Sequence, residues 1–278
     1  MHEAPLVEVR GVSIRTAAKT VLDNVSLCIR EGTTTVVMGR SGSGKSSLAK
    51  VAAGIVLPDE GELLLSGKPF GSLSKKALLE FRRRSGFVFQ DAALWANQSL
   101  FDNVAFPLRF HRPTISQTEL ERAVATAIEL AGCRHDLSAR PADVSVGEAK
   151  IVGLARALVL DPDILYLDDP LSDSDETGRE RLARLISGLR ARGRTILVTG
   201  ATPDLARRIA DFVVVIGAGK IQASGDYGEA SSWPDPVALG LPSRLAPRKG
   251  REGLVGSWED ALADDEQAAP AGTMTEER

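Results

Sequence analysis

A glycine-rich loop that contains one lysine is the part of this chain best suited to bind phosphate. Residues 39–47 read GRSGSGKSS and follow the apolar run 35–38. A Gly-x-x-x-x-Gly-Lys-Ser pattern between a predicted strand and a predicted helix is the context in which backbone N–H groups surround phosphate oxygens. A chance match in a Gly/Ser-rich turn is the alternative, and the flanking strand and helix signals argue against it. The loop therefore predicts a ligand with phosphate groups.

Each residue type in this loop has its own predicted use. Gly39, Gly42 and Gly44 let the backbone turn inward, and the helix that begins near Gly44 adds its positive N-terminal end. Lys45 is predicted to reach the β- and γ-phosphates, and the Ser46 hydroxyl to bind Mg²⁺. The predicted nucleotide-binding set is the whole loop: Gly39, Arg40, Ser41, Gly42, Ser43, Gly44, Lys45, Ser46 and Ser47.

A second motif places a carboxylate at the end of a predicted buried strand. Residues 164–170 read ILYLDDP, so that mostly apolar residues lead to Asp168 at the carboxyl end of the strand. A carboxylate in that position can hold Mg²⁺, usually through water. An apolar run that ends in Asp is common alone, but its pairing with the upstream loop predicts a magnesium–nucleotide site.

The elements around these motifs alternate between strands and helices. Residues 6–10 and 21–29 are predicted to form an antiparallel layer, and residues 34–38, 87–89 and 164–168 to form short buried strands. Residues 91–160 read mostly helical, including a capping box of Ser116 and Glu119. These patterns predict an α/β fold in which a helical insertion interrupts a parallel core.

Composition restricts the classes of function. The 278-residue chain has a formal net charge of −3, so no overall basic field indicates nucleic-acid binding. The two cysteines, Cys28 and Cys133, do not form a disulfide framework, which favours a reducing compartment. No leader pattern opens the chain, and no apolar run approaches the ~20 residues of a membrane span. We therefore expect any membrane contact to be made through partner subunits.

The order and spacing of the motifs resemble the nucleotide-binding subunits of ABC transporters. The matching segments are GRSGSGKSS, VFQ at 88–90, SVGEAKIVGLARALVLDPDILYLDDP at 145–170 and SDSD at 172–175, within a likeness that covers roughly residues 5–225. The resemblance implies a P-loop NTPase with a RecA-like parallel core, an antiparallel β subdomain and a helical insertion subdomain. It also implies that ATP and Mg²⁺ are bound.

The resemblance assigns roles to further residues. Gln90 is implied to touch Mg²⁺ and to relay to the membrane subunits, which makes Ser46, Gln90 and Asp168 the expected metal set. Ser145 and Gly147 are implied to complete the ATP site of a facing subunit, and Ser172 and Asp175 to lie at the dimer interface. The expected catalytic residues are Asp169, Gln90 and Lys45.

The same resemblance implies the assembly and the division of the chain. Two such subunits enclose two ATP molecules head to tail and act on transmembrane permease subunits, at the cytoplasmic side of the inner membrane. The expected divisions are 1–90 (antiparallel β subdomain and P-loop part of the core), 91–160 (helical signature subdomain), 161–226 (rest of the core) and 227–278 (an acidic, partly disordered extension). Trp233 and Trp258 in that extension are expected either to anchor a neighbour or to pack on their own domain.

The substrate class follows from one stretch. Residues 89–111, FQDAALWANQSLFDNVAFPLRFH, resemble the ATPases of Mla/Mce-type systems, which move phospholipids or other hydrophobic molecules. Amino-acid importers and lipoprotein-releasing ATPases share the FDNVAFPL style and remain alternatives. Packing within the helical insertion would account for Phe101, Phe106 and Phe110 in any of these systems.

Two positions depart from the family pattern where hydrolysis is catalysed. Asp169 stands where a glutamate normally polarises the attacking water, and its side chain is shorter by one methylene. Displacement by about 1 Å can cost ~10²-fold in rate, unless a backbone shift compensates. Gly200 stands where a histidine normally contacts the γ-phosphate, and losing one such donor typically costs ~10²–10³-fold. We therefore expect a subunit that binds Mg·ATP and hydrolyses it slowly or not at all.

Two further departures concern binding. Val146 and Glu148 replace Gly and Gln in the signature motif, and Glu148 would weaken ATP capture if it faced the phosphate, but not if it lies along the helix surface. No aromatic residue is present near Thr16 to stack on adenine, and Arg15 could partly substitute.

A non-hydrolysing regulatory subunit is a second hypothesis for the function. A soluble ABC-type ATPase acting on nucleic acid or ribosomes is a third hypothesis. It is disfavoured because the chain shows neither the long coiled coils of the first kind nor the two cassettes of the second.

Overall fold

Runs of β-branched and aliphatic residues form the strands of this protein. The computed structural model describes residues 6–133, 135–170 and 176–230. Its strands in those ranges are β1 Val7–Arg15, β2 Thr20–Ile29, β3 Thr34–Met38, β4 Glu60–Leu65, β5 Lys68–Pro69, β6 Ser85–Val88, β7 Ile164–Leu167, β8 Thr195–Thr199, β9 Phe212–Gly217 and β10 Lys220–Asp226. The α-helices are α1 Lys45–Ala52, α2 Lys75–Arg83, α3 Leu100–His111, α4 Gln117–Ala131, α5 Val146–Leu158, α6 Glu176–Ala191, α7 Pro203–Ile209 and α8 Tyr227–Ala230.

The strands form two sheets. The smaller sheet is antiparallel in the order β2-β1-β4-β5. The larger sheet has the order β10-β9-β3-β8-β7-β6, in which β9, β3, β8, β7 and β6 are parallel and β10 is an antiparallel edge. Because β3, β8, β7 and β6 are parallel neighbours, the segments that follow them emerge at one edge of the sheet. That shared edge is what positions the candidate site.

Both faces of the parallel sheet are covered, as expected for strands that are apolar throughout. On one face the sheet packs against α6 and α7, and on the other against α1 and the antiparallel sheet. Helices α3, α4 and α5 pack around a separate apolar cluster that includes Leu100, Val104 and Val152. Pro107 lies inside α3 without ending it. The helical stretch therefore has a core of its own.

The predicted fold class is confirmed, and several elements begin and end where the sequence patterns predicted. The capping box of Ser116 and Glu119 starts α4, and Gly132 ends it in a left-handed conformation. Helix α5 starts one residue before the predicted position. We predicted no regular structure from Tyr227 onwards, but the short helix α8 begins there. The Tyr227 side chain is buried in the core, and its N–H donates to the carbonyl of Asp211.

Some predictions fall on residues that the structure does not describe. Ser172 and Asp175, expected at the dimer interface, lie outside the described residues, as do Trp233 and Trp258. The division of the chain at 90, 160 and 226 remains a prediction. Within the described ranges, none of the helices combines the length and the apolar character needed to cross a membrane.

Candidate functional site

The glycine-rich loop connects β3 to α1, and two of its glycines have no room for a side chain. A Cβ atom added to Gly39 would lie 2.1 Å from the carbonyl oxygen of Ile216, and one added to Gly44 would lie 2.8 Å from Leu22 Cδ2. Both glycines have positive φ angles, 147° and 106°. The loop is therefore pressed against β2 and β9, which fixes the direction in which its backbone N–H groups point.

The Lys45 side chain lies across the start of the loop. Its Nζ atom donates hydrogen bonds to the carbonyl oxygens of Gly39, at 2.9 Å, and Arg40, at 2.8 Å. The pKa of Lys45 is lowered, because the effect of partial burial exceeds the opposing effect of the nearby Asp169 and Asp168 carboxylates. The structure thus gathers one ammonium group and two carboxylates at the same edge of the sheet.

One hydroxyl in the loop is left without a partner. The Ser43 side chain is buried, and its Oγ atom has no hydrogen-bond partner among the described residues. A buried hydroxyl normally finds a partner, so an orphaned one inside a cradle of N–H groups fits a polar ligand that supplies it. Arg40 and Ser41 are exposed at the outside of the loop, while Ser46 and Ser47 are half-buried in the first turn of α1.

The other predicted residues follow the neighbouring strand ends. They are Gln90 after β6, Asp168 and Asp169 after β7, and Thr199 and Gly200 after β8. The Gln90 amide donates to Asp169 Oδ2 at 3.3 Å. The structure therefore brings together Lys45, Gln90, Asp168 and Asp169, as the motif order predicted. In the described ranges, no group of three or more His, Cys, Asp or Glu side chains is arranged so that it could hold a metal ion.

Thr199 hydrogen bonds with both aspartates, although no sequence pattern marked it as a site residue. Its buried Oγ1 atom donates to Asp168 Oδ1 at 2.8 Å and accepts from the Asp169 N–H at 3.0 Å. Asp169 has a left-handed backbone, with φ of 48°. Thr199 ends β8, the strand beside the one that carries the aspartates. Only the strand order reveals that the two strands are neighbours, so the sequence offered no signal for Thr199.

The signature residues stand at the start of α5. Ser145 is the N-cap, and its backbone N–H and hydroxyl donate to Glu148 Oε2 at 2.8 and 2.6 Å. His135 Nε2 lies 2.5 Å from Glu148 Oε1. Hydrogen bonds from the Ser145 hydroxyl and N–H, and then from His135, lower the pKa of Glu148 to about 2. Of the two orientations left open by the sequence, the structure has Glu148 along the helix surface, as half of a capping box.

Ser145 and Gly147 border a cavity beside α5. The cavity has a volume of about 410 Å³, and its described lining includes Lys150, Arg181 and Leu182 but no residue of 39–47. Val146 is exposed, and a Cβ atom added to Gly147 would meet nothing within 4 Å. Val146 and Gly147 therefore have space for a neighbouring molecule, and the cavity beside them is not lined by the chain's own glycine-rich loop.

Arg15, the expected substitute for an adenine-stacking aromatic, has an acidic partner. Its guanidinium donates two hydrogen bonds to Glu60, at 2.6 and 2.9 Å. The Glu60 hydrogen bonds raise the pKa of Arg15, and the exposed pair holds the guanidinium in one orientation. Thr16 lies at the tip between β1 and β2 and hydrogen bonds with Lys19.

Arg156 of α5 connects the signature helix to the segment after Gln90, a link that no sequence pattern indicated. Its guanidinium donates to the carbonyl oxygens of Ala92, at 2.6 Å, and Ala93, at 2.7 Å. Both alanines have positive φ angles. The guanidinium carbon also lies 5.5 Å from the centre of the Trp95 ring. Arg156 therefore ties this segment to α5.

Three exposed aromatic side chains form a strip: Trp95 of this segment, and Phe106 and Phe110 of α3. The ring centres are 4.5 Å apart between Trp95 and Phe106 and 6.2 Å apart between Phe106 and Phe110. Their exposed fractions are 43, 46 and 59%. Large aromatic side chains that remain this exposed together are characteristic of interaction surfaces. Phe101, by contrast, packs against the cluster of α3–α5, as the packing alternative predicted.

Comparison with known proteins agrees with this geometry. The family model described as ABC transporter matches residues 22–172. The intermembrane phospholipid transport system ATP-binding protein MlaF of Escherichia coli strain K12 is 35% identical over 84% of this chain and 87% of its own length. The methionine import ATP-binding protein MetN of Brucella abortus is 33% identical over 93% of this chain and 69% of its own length.

The fold has solved relatives as well. The dimeric structure of a post-hydrolysis state of the ATP-binding cassette MJ0796, bound to ADP and Pi, superimposes with a TM-score of 0.73 at 27% identity. The match covers 79% of this chain and 98% of that one. That relative is therefore a dimeric cassette of the same fold with ADP and Pi bound.

Proposed function

This chain belongs to the ABC transporter family of ATPase subunits, and from that premise we propose that it is the ATP-binding subunit of a transporter that moves phospholipid. The observation that carries the nucleotide part is the gathering of Lys45, Asp168 and Asp169 at the carboxyl edge of the sheet. The extent of the likeness to MlaF, over most of both chains, supports the phospholipid part.

The loop from Gly39 to Ser47 binds the phosphates of ATP through backbone N–H groups, and Lys45 supplies a positive charge to them. Ser46, Gln90 and Asp168 would hold magnesium, because they offer the oxygen ligands that this ion prefers and it retains several of its waters. When bound, the ion supplies positive charge against the phosphate oxygens. The unpartnered Ser43 hydroxyl supports the assignment of the loop to phosphate binding.

The signature residues act on a second subunit. Ser145 and Gly147 cap a site on the facing copy or on an intact paralogue, since they border an open surface rather than the chain's own loop. The positive end of α5 then adds its dipole to the partner's phosphates. The dimer of the MJ0796 cassette supports this arrangement.

The aromatic strip supports contact with transmembrane permease subunits. Trp95 of the strip lies on the segment that follows Gln90, which Arg156 links to α5, and Phe106 and Phe110 lie on α3. Closure of two subunits around ATP would therefore shift the strip and whatever is docked on it. Such docking puts the chain at the cytoplasmic side of the inner membrane, with membrane contact only through its partners and none with nucleic acid.

Hydrolysis by this chain's own site is slow or absent in this proposal. Asp169 is turned toward Gln90, and no side chain at position 200 can donate to a phosphate. A non-hydrolysing regulatory subunit, in which ATP occupancy alone holds a complex together, is the second candidate favoured by the same pair of residues. Phosphate release by the purified complex separates the two candidates.

The test uses the native complex purified with its membrane subunits and reconstituted in phospholipid vesicles. We expect Mg²⁺-dependent ATP binding, and movement of fluorescent phospholipid that Lys45→Ala abolishes. Uptake of radiolabelled amino acids is the control for the MetN-like alternative, and stimulation of ATP turnover by an amino acid instead of phospholipid would overturn the lipid assignment. Ordinary transporter turnover by a complex without a paralogue would overturn the slow-site assignment.

A further inference from the structure

Two of the departures from the family pattern touch each other. Strands β7 and β8 are parallel with Leu167 opposite Val198, so the second residues beyond that pair are Asp169 and Gly200. A Cβ atom added to Gly200 would lie 2.5 Å from Asp169 Oδ1, 2.8 Å from its Cγ and 3.1 Å from its Cβ. The Asp169 carboxylate therefore occupies the space that a side chain at position 200 would need.

We propose that Gly200 is a positioning residue of the ATP site: its missing side chain lets the Asp169 carboxylate turn over the end of β8 and accept the hydrogen bond from Gln90. The proposal concerns the geometry of two residues, and it rests on the proposed function only for the identity of the ligand.

The hydrogen bonds around Asp169 show what the carboxylate would lose by moving aside. The Asp169 N–H is held by Thr199 Oγ1, which fixes the backbone from which the side chain extends. Its Oδ2 atom accepts from Gln90 while Oδ1 lies against Gly200. Any added side chain at position 200 must rotate the carboxylate, and that rotation breaks the contact with Gln90.

This coupling has a consequence for restoring activity. A histidine introduced at position 200 alone enters space that Asp169 already fills, at a backbone φ of 71°. The Asp169 and Gly200 departures are therefore one structural change rather than two independent losses. Gly200→His alone is expected to leave ATP turnover at or below the wild-type level.

A double-mutant cycle on the full chain tests the coupling. Gly200→Ala is combined with Asp169→Ala, and Gly193→Ala is the matched control, because Gly193 lies at the other end of β8 with φ of 75° and no atom within 4 Å of an added Cβ. Both alanine changes carry the cost of a left-handed backbone, and only the change at 200 adds the clash. We expect Gly200→Ala to lower Tm by ~2–4 °C more than Gly193→Ala. Most of this excess should be lost in the Asp169→Ala background, where of these contacts only the 3.1 Å contact with Cβ remains.

A second measurement separates positioning from mere stability. We expect Gly200→Ala to change the affinity for Mg·ATP. Gly193→Ala should leave this affinity unchanged, and Gly200→Ala should have no effect on it when Asp169→Ala is already present. Equal Tm losses for the two glycine variants, or an excess that is undiminished without the Asp169 carboxylate, would overturn the inference even if ATP binds well. Absence of Mg·ATP binding by the wild-type chain would instead contradict the proposed function, and the Tm cycle would still decide the coupling.

Discussion

The Thr199 hydroxyl donates a 2.8 Å hydrogen bond to Asp168, and both groups are buried. The same oxygen accepts the N–H of Asp169, so one threonine orients the Asp168 carboxylate and holds the backbone of Asp169. An ionised carboxylate in the interior depends on such donors, because burial without them is costly. The expected magnesium ligand is thus held in place by the strand beside its own.

Thr199→Val is expected to lower stability and Mg·ATP affinity together. The change keeps the shape of the side chain but leaves a buried carboxylate oxygen and an N–H without their partner, each costing about 1–3 kcal/mol. Denaturant unfolding and equilibrium ATP binding are the measurements. Thr195→Val is the control, since Thr195 is buried at the other end of β8 and its hydroxyl accepts from the Gly32 N–H. It should lose stability but keep its ATP affinity; an equal loss of affinity in both variants would contradict a specific role for Thr199.

Lys45→Ala is expected to weaken ATP binding by about 10–100-fold, because a hydrogen bond to a charged group is worth about 1.5–3 kcal/mol. Titration of the purified chain with ATP in the presence of Mg²⁺ measures this. Lys76→Ala, which removes an exposed lysine from α2, controls for the loss of one positive charge. Unchanged affinity in the Lys45 variant would refute its assignment to the phosphates.

Glu148→Ala is expected to destabilise the protein in a pH-dependent way. The folded-state pKa of Glu148 is lowered from 4.5 to about 2, first by its hydrogen bonds from Ser145. A carboxylate with a depressed pKa contributes stability that is present above its ordinary pKa and is lost as the pH falls through the folded value. The difference between wild type and variant should therefore be full above about pH 5 and be lost as the pH falls below about 2, as followed by denaturant unfolding.

The capping box of α4 provides the control for that experiment. Glu119→Ala removes the equivalent carboxylate beside Ser116, whose hydrogen bonds also lower the pKa of Glu119. Both variants should lose stability at neutral pH, but only the Glu148 variant should alter ATP-dependent association of two subunits. A pH-independent loss at Glu148 would show that the cap does not depend on the charge.

The double variant Phe106→Ala/Phe110→Ala is expected to detach the chain from its membrane subunits while leaving it folded. These rings are exposed, so their removal creates no cavity, and aromatic hot spots at interfaces are worth about 2 kcal/mol or more. Co-purification with the membrane subunits and far-UV circular dichroism are the measurements. Leu57→Ala, at an exposed apolar residue outside the strip, should leave the complex intact. Full retention of the complex by the double variant would exclude the strip as the docking surface.

Local patterns were sufficient where the physical cause is local. The loop around Lys45 was predicted because glycines and a lysine at fixed spacing have few other uses between a strand and a helix. The cap of α4 was predicted because Ser116 and Glu119 satisfy the first N–H groups of their own helix. At Ser145 and Glu148 the sequence left two orientations of the carboxylate open, because these residues also stand in the segment that resembles the signature motif.

The amino-acid sequence alone determined the ligand class, the fold class and the two positions at which the catalytic pattern is altered. The tertiary structure alone decided that Asp169 and Gly200 are in contact, that Thr199 holds both aspartates and that Arg156 ties the segment after Gln90 to α5. The reason is that each of these relations joins residues 30 or more positions apart, through the order of parallel strands or the packing of a helix. Strand order arises from how the whole core is buried, and no local spacing of residues encodes it.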